Sequence, residues 1–253
     1  MYSRNLHPVI LAGLTLLFLY SCRSSAPLLD LKDLEPADLP AEEILDNIPD
    51  YRRTLTSVSG IGRAIVSEPD NSERVSVQFQ SSRRESLIKV RNSLGIEGGQ
   101  IYVDSDSLLI YNRIDHYAEK VPLHESRLTT IGAIASVNIL ELLNYTEDPQ
   151  NVASTYQSED YFVLLMKNGS YIQVDKTSGV ITEVIHMSNP DAPYSRIEYA
   201  GYSDVDGFRL PRRITIYSRD GQARAALLVQ RIETNVSLPP LQINLPDDIP
   251  VIR

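Results

Sequence analysis

Val75-Ser-Val-Gln-Phe-Gln-Ser-Ser-Arg-Arg-Glu-Ser-Leu-Ile-Lys-Val90 is the stretch on which the reading of this chain turns. Val75, Val77 and Phe79 alternate with polar residues, and after a polar break Ile88 and Val90 resume the same alternation. A period of two puts successive side chains on opposite faces of a strand, so these five share one apolar face across two adjoining strands. The pattern recurs at Ile101 and Val103 and again at Leu227 and Val229. Asn168-Gly169 and Asp220-Gly221 supply residues that tolerate positive φ in tight hairpins, while 104–107, 176–179 and 204–207 read as longer turns. The expectation is a mainly β chain of about eleven strands in antiparallel succession.

Two helices interrupt the alternation. Asp38, Pro40, Glu42 and Glu43 form a helix start, followed by an apolar face of Ile44, Leu45 and Ile48. The second helix is expected over 126–144, where Leu128, Ile131, Ala135, Ile139 and Leu142 fall on one stripe and Ile134, Val137 and Leu140 on the back. About eleven strands at about 4.8 Å spacing make a sheet about 50 Å wide, whereas a helix about 10 Å across covers about two strands. The sheet must therefore fold over or curl, and a curled sheet leaves an apolar cavity. Val75, Val77, Phe79, Ile88 and Val90 are the expected cavity wall, and the two-sided helix its lid. Gly60 and Gly62, in a strand pattern, are read as a bulge or a close-packing site.

Composition removes several functions. The 253 residues are 42% hydrophobic and 23% charged, which suits a globular domain with a real core, and a net charge of −9 argues against a nucleic-acid partner. One cysteine and four histidines are too few for a disulfide framework or most His-based metal sites, so neither metal nor cofactor is expected. No G-x-S-x-G, P-loop or H-E-x-x-H motif occurs. Asp204-Val-Asp-Gly207 begins like a calcium loop, but Phe208, Leu210 and Pro211 stand where ligands should follow.

The amino terminus carries Arg4 and then an apolar run from Val9 to Tyr20, too short to span a bilayer. Leu19-Tyr20-Ser21-Cys22 resembles the bacterial lipobox. The resemblance implies a signal peptide over 1–21, acylation of Cys22 and a membrane-lipid anchor, with 22–39 as the acylated tether and 40–253 as the folded domain. Arg at position 23, in place of the Asp that retains enteric lipoproteins in the inner membrane, favours the outer membrane, facing the periplasm.

The order of several motifs resembles an uncharacterised outer-membrane lipoprotein family within the superfamily of the LolA and LolB lipoprotein carriers. The motifs are Ser57-Val-Ser-Gly-Ile-Gly62, Asn92-Ser-Leu-Gly-Ile-Glu97, the run from Ile101 to Tyr117, the hairpin Tyr171 to Ile185 and Asp206-Gly-Phe-Arg-Leu-Pro211. The resemblance implies an incomplete antiparallel β-barrel whose concave apolar side is covered by helices and receives acyl chains. It also implies an arginine that holds the lid helices through their carbonyls, for which Arg83 and Arg84 are the candidates by chain order. The residues themselves read as a solvated hairpin pair. Two functions stay open: a non-enzymatic lipoprotein that binds acyl chains or lipidated cargo in its cavity, and an envelope adaptor whose cavity is packed core and whose surface binds envelope proteins. An envelope hydrolase stands below both.

Overall fold

The computed structural model describes residues 34–123, 136–186, 192 and 194–252. The chain from Glu35 to Arg253 forms one compact unit. It opens with β1 (Glu35–Pro36) and α1 (Ala41–Asp46). Six strands follow in succession: β2 (Ser57–Glu68), β3 (Asn71–Ser82), β4 (Ser86–Arg91), β5 (Glu97–Val103), β6 (Ser107–Asn112) and β7 (Tyr117–Pro122). The helix α2 (Ile139–Leu143) leads to β8 (Val152–Gln157), β9 (Tyr161–Met166), β10 (Tyr171–Asp175), β11 (Ile181–Ile185) and β12 (Tyr194–Ala200). A small hairpin of β13 (Ser203–Val205) and β14 (Phe208–Leu210) precedes β15 (Arg213–Ser218), β16 (Arg224–Thr234) and β17 (Val251–Ile252).

All strands except β13 and β14 belong to one 15-stranded sheet, ordered β1-β8-β9-β10-β11-β12-β15-β16-β2-β3-β4-β5-β6-β7-β17. Two meanders, β2 to β7 and β8 to β16, are thus joined where the last long strand pairs with the first, from Arg224↔Ser67 to Thr234↔Val58. The sheet is not closed into a barrel: β1 stands at one edge and β17, parallel to β7, at the other. The expected eleven strands are too few. Four of the extra ones are two or three residues long, too short to show any alternation, and β1 falls inside the stretch read as tether.

The turn chemistry is as read. Gly169, Gly179, Gly207 and Gly221 all take positive φ, and Asp206 joins Gly207 there in the β13–β14 turn. Gly60 is a close-packing site, since a Cβ there would lie 2.4 Å from Phe79 Cζ. A Cβ on Gly62 would lie 2.5 Å from the Leu228 carbonyl oxygen, and the bulge sits opposite, between Val229 and Arg231 of β16.

The main core packs α1 and α2 onto the inner face of β9–β12, β15 and β16, with Ile44, Leu140, Leu164, Ile172, Ile197 and Ile214 all within 1% of complete burial. Asp38 is not the cap of α1: the N-cap is Pro40 and makes no side-chain bond, while the Asp38 carboxylate accepts from Gln157 Nε2 at 3.0 Å. The carboxyl-terminal tail packs Ile243, Leu245 and Ile249 on Leu109, Tyr111 and Ala118. Leu109 and Tyr111 alternate with Leu108 and Ile110, so the tail covers the other face of β6 and β7.

The helix expected over 126–144 is broken within the described residues. Asn138 is extended (φ −62, ψ 128) and its side chain accepts from Leu140 N and Glu141 N, which starts a new short helix at Ile139. Apolar spacing continues through such a cap, so periodicity alone missed it. Leu128, Ile131 and Ala135, like Cys22, lie outside the described residues.

Candidate functional site

The inner face of β2–β5, β15 and β16 and the side of α2 enclose a cavity of about 280 Å³. The pairing that builds its floor is direct: Val77 faces Val90 and Phe79 faces Ile88 across β3 and β4, and Ile88 faces Ile101 across β4 and β5. Val75, Val77, Phe79, Ile88 and Val90 all line it, joined by Ile214, Ile216 and Leu227 from the far meander and by Val137, Ile139 and Leu142 above. Val77 and Phe79 are buried, while Val75, Ile88 and Val90 are half-buried. Among the described residues the one charged group on the wall is Glu73, near the turn end of β3. Such a space can take an aliphatic group and offers almost nothing to a polar one.

The other end is a polar latch. Ser81 and Ser86, both fully buried, flank the β3–β4 turn with their hydroxyls 2.6 Å apart. The first free amides of α2 end on them: Ile139 N–H donates to Ser86 Oγ at 3.0 Å and Leu140 N–H to Ser81 Oγ at 3.1 Å. Asn138 Nδ2 donates to the Ser82 carbonyl at 2.9 Å and its Oδ1 accepts from Ser81 Oγ at 3.0 Å. Helix amino termini carry unpaired N–H groups, and here the sheet satisfies them. At the carboxyl end Asn144 accepts from Tyr51 N–H and donates to the Pro49 carbonyl, both at 3.0 Å.

Arg83 ties the same turn to the segment after α1. Its Nε donates to the Leu55 carbonyl at 3.1 Å, and its Nη2 donates to the Tyr51 carbonyl at 3.0 Å and to Asn144 Oδ1 at 3.4 Å. Reading Arg83 as a solvated residue is thus incorrect, because the 51–55 turn, distant in sequence, closes over it. The carbonyls it holds belong to that turn and not to α2, which it reaches only through Asn144. Arg84 is exposed. Burial lowers the Arg83 pKa from its ordinary value, opposed by the charges of Glu141 and Asp50, and burial raises that of Glu141.

Other buried polar groups lie apart from the cavity wall. Ser170 Oγ is 2.8 Å from His186 Nδ1, both residues are buried, and desolvation lowers the His186 pKa to about 4. Among the described residues His186 Nε2 and Tyr199 OH have no hydrogen-bond partner. Burial raises the phenols of Tyr145, Tyr199 and Tyr202, and raises Tyr194 to about 12. Among the described residues no group of His, Cys, Asp and Glu is placed to hold a metal, and no helix is long and apolar enough to cross a membrane.

Sequence reasoning missed Ser81, Ser86, Asn138 and Asn144. Asn138 before an apolar run is a readable cap signal, but nothing local marks the two serines.

No protein-family model and no curated protein matches the chain. Among solved structures the chain is similar to a LolA-superfamily protein from Nitrosomonas europaea, at 14% identity over 79% of this chain and 96% of that one, with a TM-score of 0.52. An outer-membrane lipoprotein-sorting protein domain from Vibrio parahaemolyticus has 10% identity, the same 79% of this chain, 92% of its own and a TM-score of 0.54. A DUF1329 family protein from Desulfovibrio piger has 10% identity, the same coverages and a TM-score of 0.55. The motifs quoted from the sequence and the arrangement of the strands lead to one conclusion, that this chain has a LolA-like fold.

Proposed function

We propose that the chain is a non-enzymatic envelope lipoprotein that takes an acyl chain, of a lipid or of a lipidated protein, into the cavity beneath α2. The cavity carries this reading: its wall is aliphatic and its far end is closed by a helix fixed through hydrogen bonds. The lipobox-like Cys22 supplies an anchor, and the fold, shared with a lipoprotein-sorting domain, is consistent with an outer-membrane, periplasm-facing location and a part in lipoprotein sorting or insertion. The adaptor reading retains one specific observation, the complete burial of Phe79 against Gly60, which makes that part of the wall packed core.

Val77→Trp separates the two. If the cavity is room for a ligand, the indole fills it: titration with a fluorescent fatty acid then shows lost binding, with the urea midpoint nearly unchanged. If the region is close-packed, the added volume costs about 1–3 kcal/mol. A large drop in midpoint, together with no fatty-acid binding by the parent chain, leaves the adaptor.

A further inference from the structure

The outer face of β15, β16, β2, β3 and β4 gathers cations in a chain whose net charge is −9. Ile214, Leu227, Ala64, Val77 and Val90 line the cavity, so the residue beside each of them on its strand points the other way. The register sets those outward neighbours, Arg213, Leu228, Arg63, Ser76 and Arg91, in one row across the five strands. Its three arginines thus stand two strands apart, at about 10 Å. The row on one side runs from Arg231 through Ile61 and Gln78 to Lys89, and on the other side follow Arg74 beside Ile65 and Arg224 beside Ser67. The six arginines are exposed and Lys89 is half-buried. None of the ion pairs, ring contacts or hydrogen bonds among the described residues uses one of these seven side chains. Among the described residues of these strands Glu233 is the one acid on the outer face, since Ile232 before it packs in the core. Glu97, across from Arg91 on β5, is taken by Arg113 at 3.5 Å and by Gln100 at 2.8 Å.

Like charges gathered in this way repel one another, and a bound anion relieves the repulsion. Leu228, Ile61 and Ile65 lie between the arginines, and Ile61 is 40% exposed. An apolar middle within a charged rim, with arginine as the main cation, is the anatomy of a contact between proteins. A lipid surface asks for apolar groups that project beyond the cations, whereas these aliphatic side chains are shorter than the arginines around them. A guanidinium takes a carboxylate through two parallel hydrogen bonds. Residues one heptad apart on an α-helix lie about 10.5 Å apart on the same side, close to the spacing of the arginine row. The face measures about 20 Å each way, at the small end of specific interfaces, which suits a transient contact steered by charge. The same outer face already accepts a segment of this chain farther along, where the carboxyl-terminal tail packs on Leu109, Tyr111 and Ala118.

We propose that this face docks an acidic amphipathic helix of a partner protein, laid across the strands so that carboxylates one heptad apart meet Arg213, Arg63 and Arg91 while its apolar stripe meets Leu228, Ile61 and Ile65. The face lies across the sheet from the cavity, so the docking stands apart from the acyl-binding reading. The mature chain carrying Cys22→Ser is titrated into a fluorescein-labelled helical peptide with Glu repeated one heptad apart beside a stripe of Leu, and into a scrambled peptide of the same composition. By anisotropy the ordered peptide should bind about tenfold or more tighter than the scrambled one, and should weaken about tenfold or more between ~0.05 M and ~0.5 M salt. Arg63→Glu/Arg91→Glu should weaken it by about tenfold or more. Arg84→Glu/Lys167→Glu, an equal change of net charge at exposed positions off this face, should leave it within about twofold. The fluorescent fatty-acid titration should be the same in all three chains. Equal affinity for the two peptides, or none for either, overturns the proposal without any variant having to fold. So does a chain that ignores the ordered peptide but binds vesicles of phosphatidylethanolamine and phosphatidylglycerol, or associates with itself, in a way that Arg63→Glu/Arg91→Glu loses: a lipid surface or a second copy would then be the occupant. Peptide docking without any fatty-acid binding sustains the proposal and overturns only the acyl-binding reading.

Discussion

At the scale of the residue, the half-buried Arg83 and the buried His186 have opposite consequences. Arg83→Ala leaves the Tyr51 and Leu55 carbonyls without their shared donor, and the expected loss is about 1–3 kcal/mol in urea unfolding, against less than about 0.5 kcal/mol for the exposed Arg84→Ala. Equal effects of the two would show that the turn holds without Arg83. His186 couples stability to pH. Its folded pKa of about 4 lies below the ordinary 6.5 of a free imidazole, so the unfolded chain binds the extra proton first as pH falls. The stability is complete above about pH 6.5 and is lost progressively as the pH drops towards 4, by about 2 kcal/mol at pH 5. Urea midpoints at pH 7 and pH 5 should therefore differ less in His186→Gln than in the parent.

At the scale of the element, α2 is five residues long, too short to persist by its own hydrogen bonds. Its stability comes from the sheet, through Ser81, Ser86 and Asn138, and from burial of Ile139, Leu140, Leu142 and Leu143. Asn138→Ala removes the cap and the bond to the Ser82 carbonyl, with an expected cost of about 0.5–2 kcal/mol. Hydrogen exchange should register the loss in the amides of 139–143 before those of β3. If α2 yields to ligand, its amides exchange faster than those of the strands in the free protein and slow when fatty acid is added. Uniform protection, indifferent to ligand, would identify α2 as fixed core.

At the scale of the whole molecule, the pairing of β16 with β2 joins two meanders into one open sheet, and the tail that packs Ile249 on Tyr111 and Ala118 covers its outer face near one edge. Function at this scale depends on where the domain is held. Cys22→Ser should abolish incorporation of a clickable fatty acid and release the protein from the membrane fraction. Equal label in parent and variant would refute the lipobox reading.

The alternation at Val75–Val90, the turn residues and the order of the motifs determined a mainly β, LolA-like chain, because strand period and turn conformation are set by residues a few positions apart. The same locality made the cavity wall legible, since Val77 and Val90 are partners across a single hairpin. Only the tertiary structure decided that the sheet stays open at fifteen strands, that the apolar stripe ending at Leu142 is capped afresh at Asn138, and that Arg83 is half-buried. Each of these depends on partners far along the chain, such as Thr234 on Val58 or Asn144 on Tyr51, and no local pattern records which distant segment will satisfy a given strand edge, helix end or guanidinium.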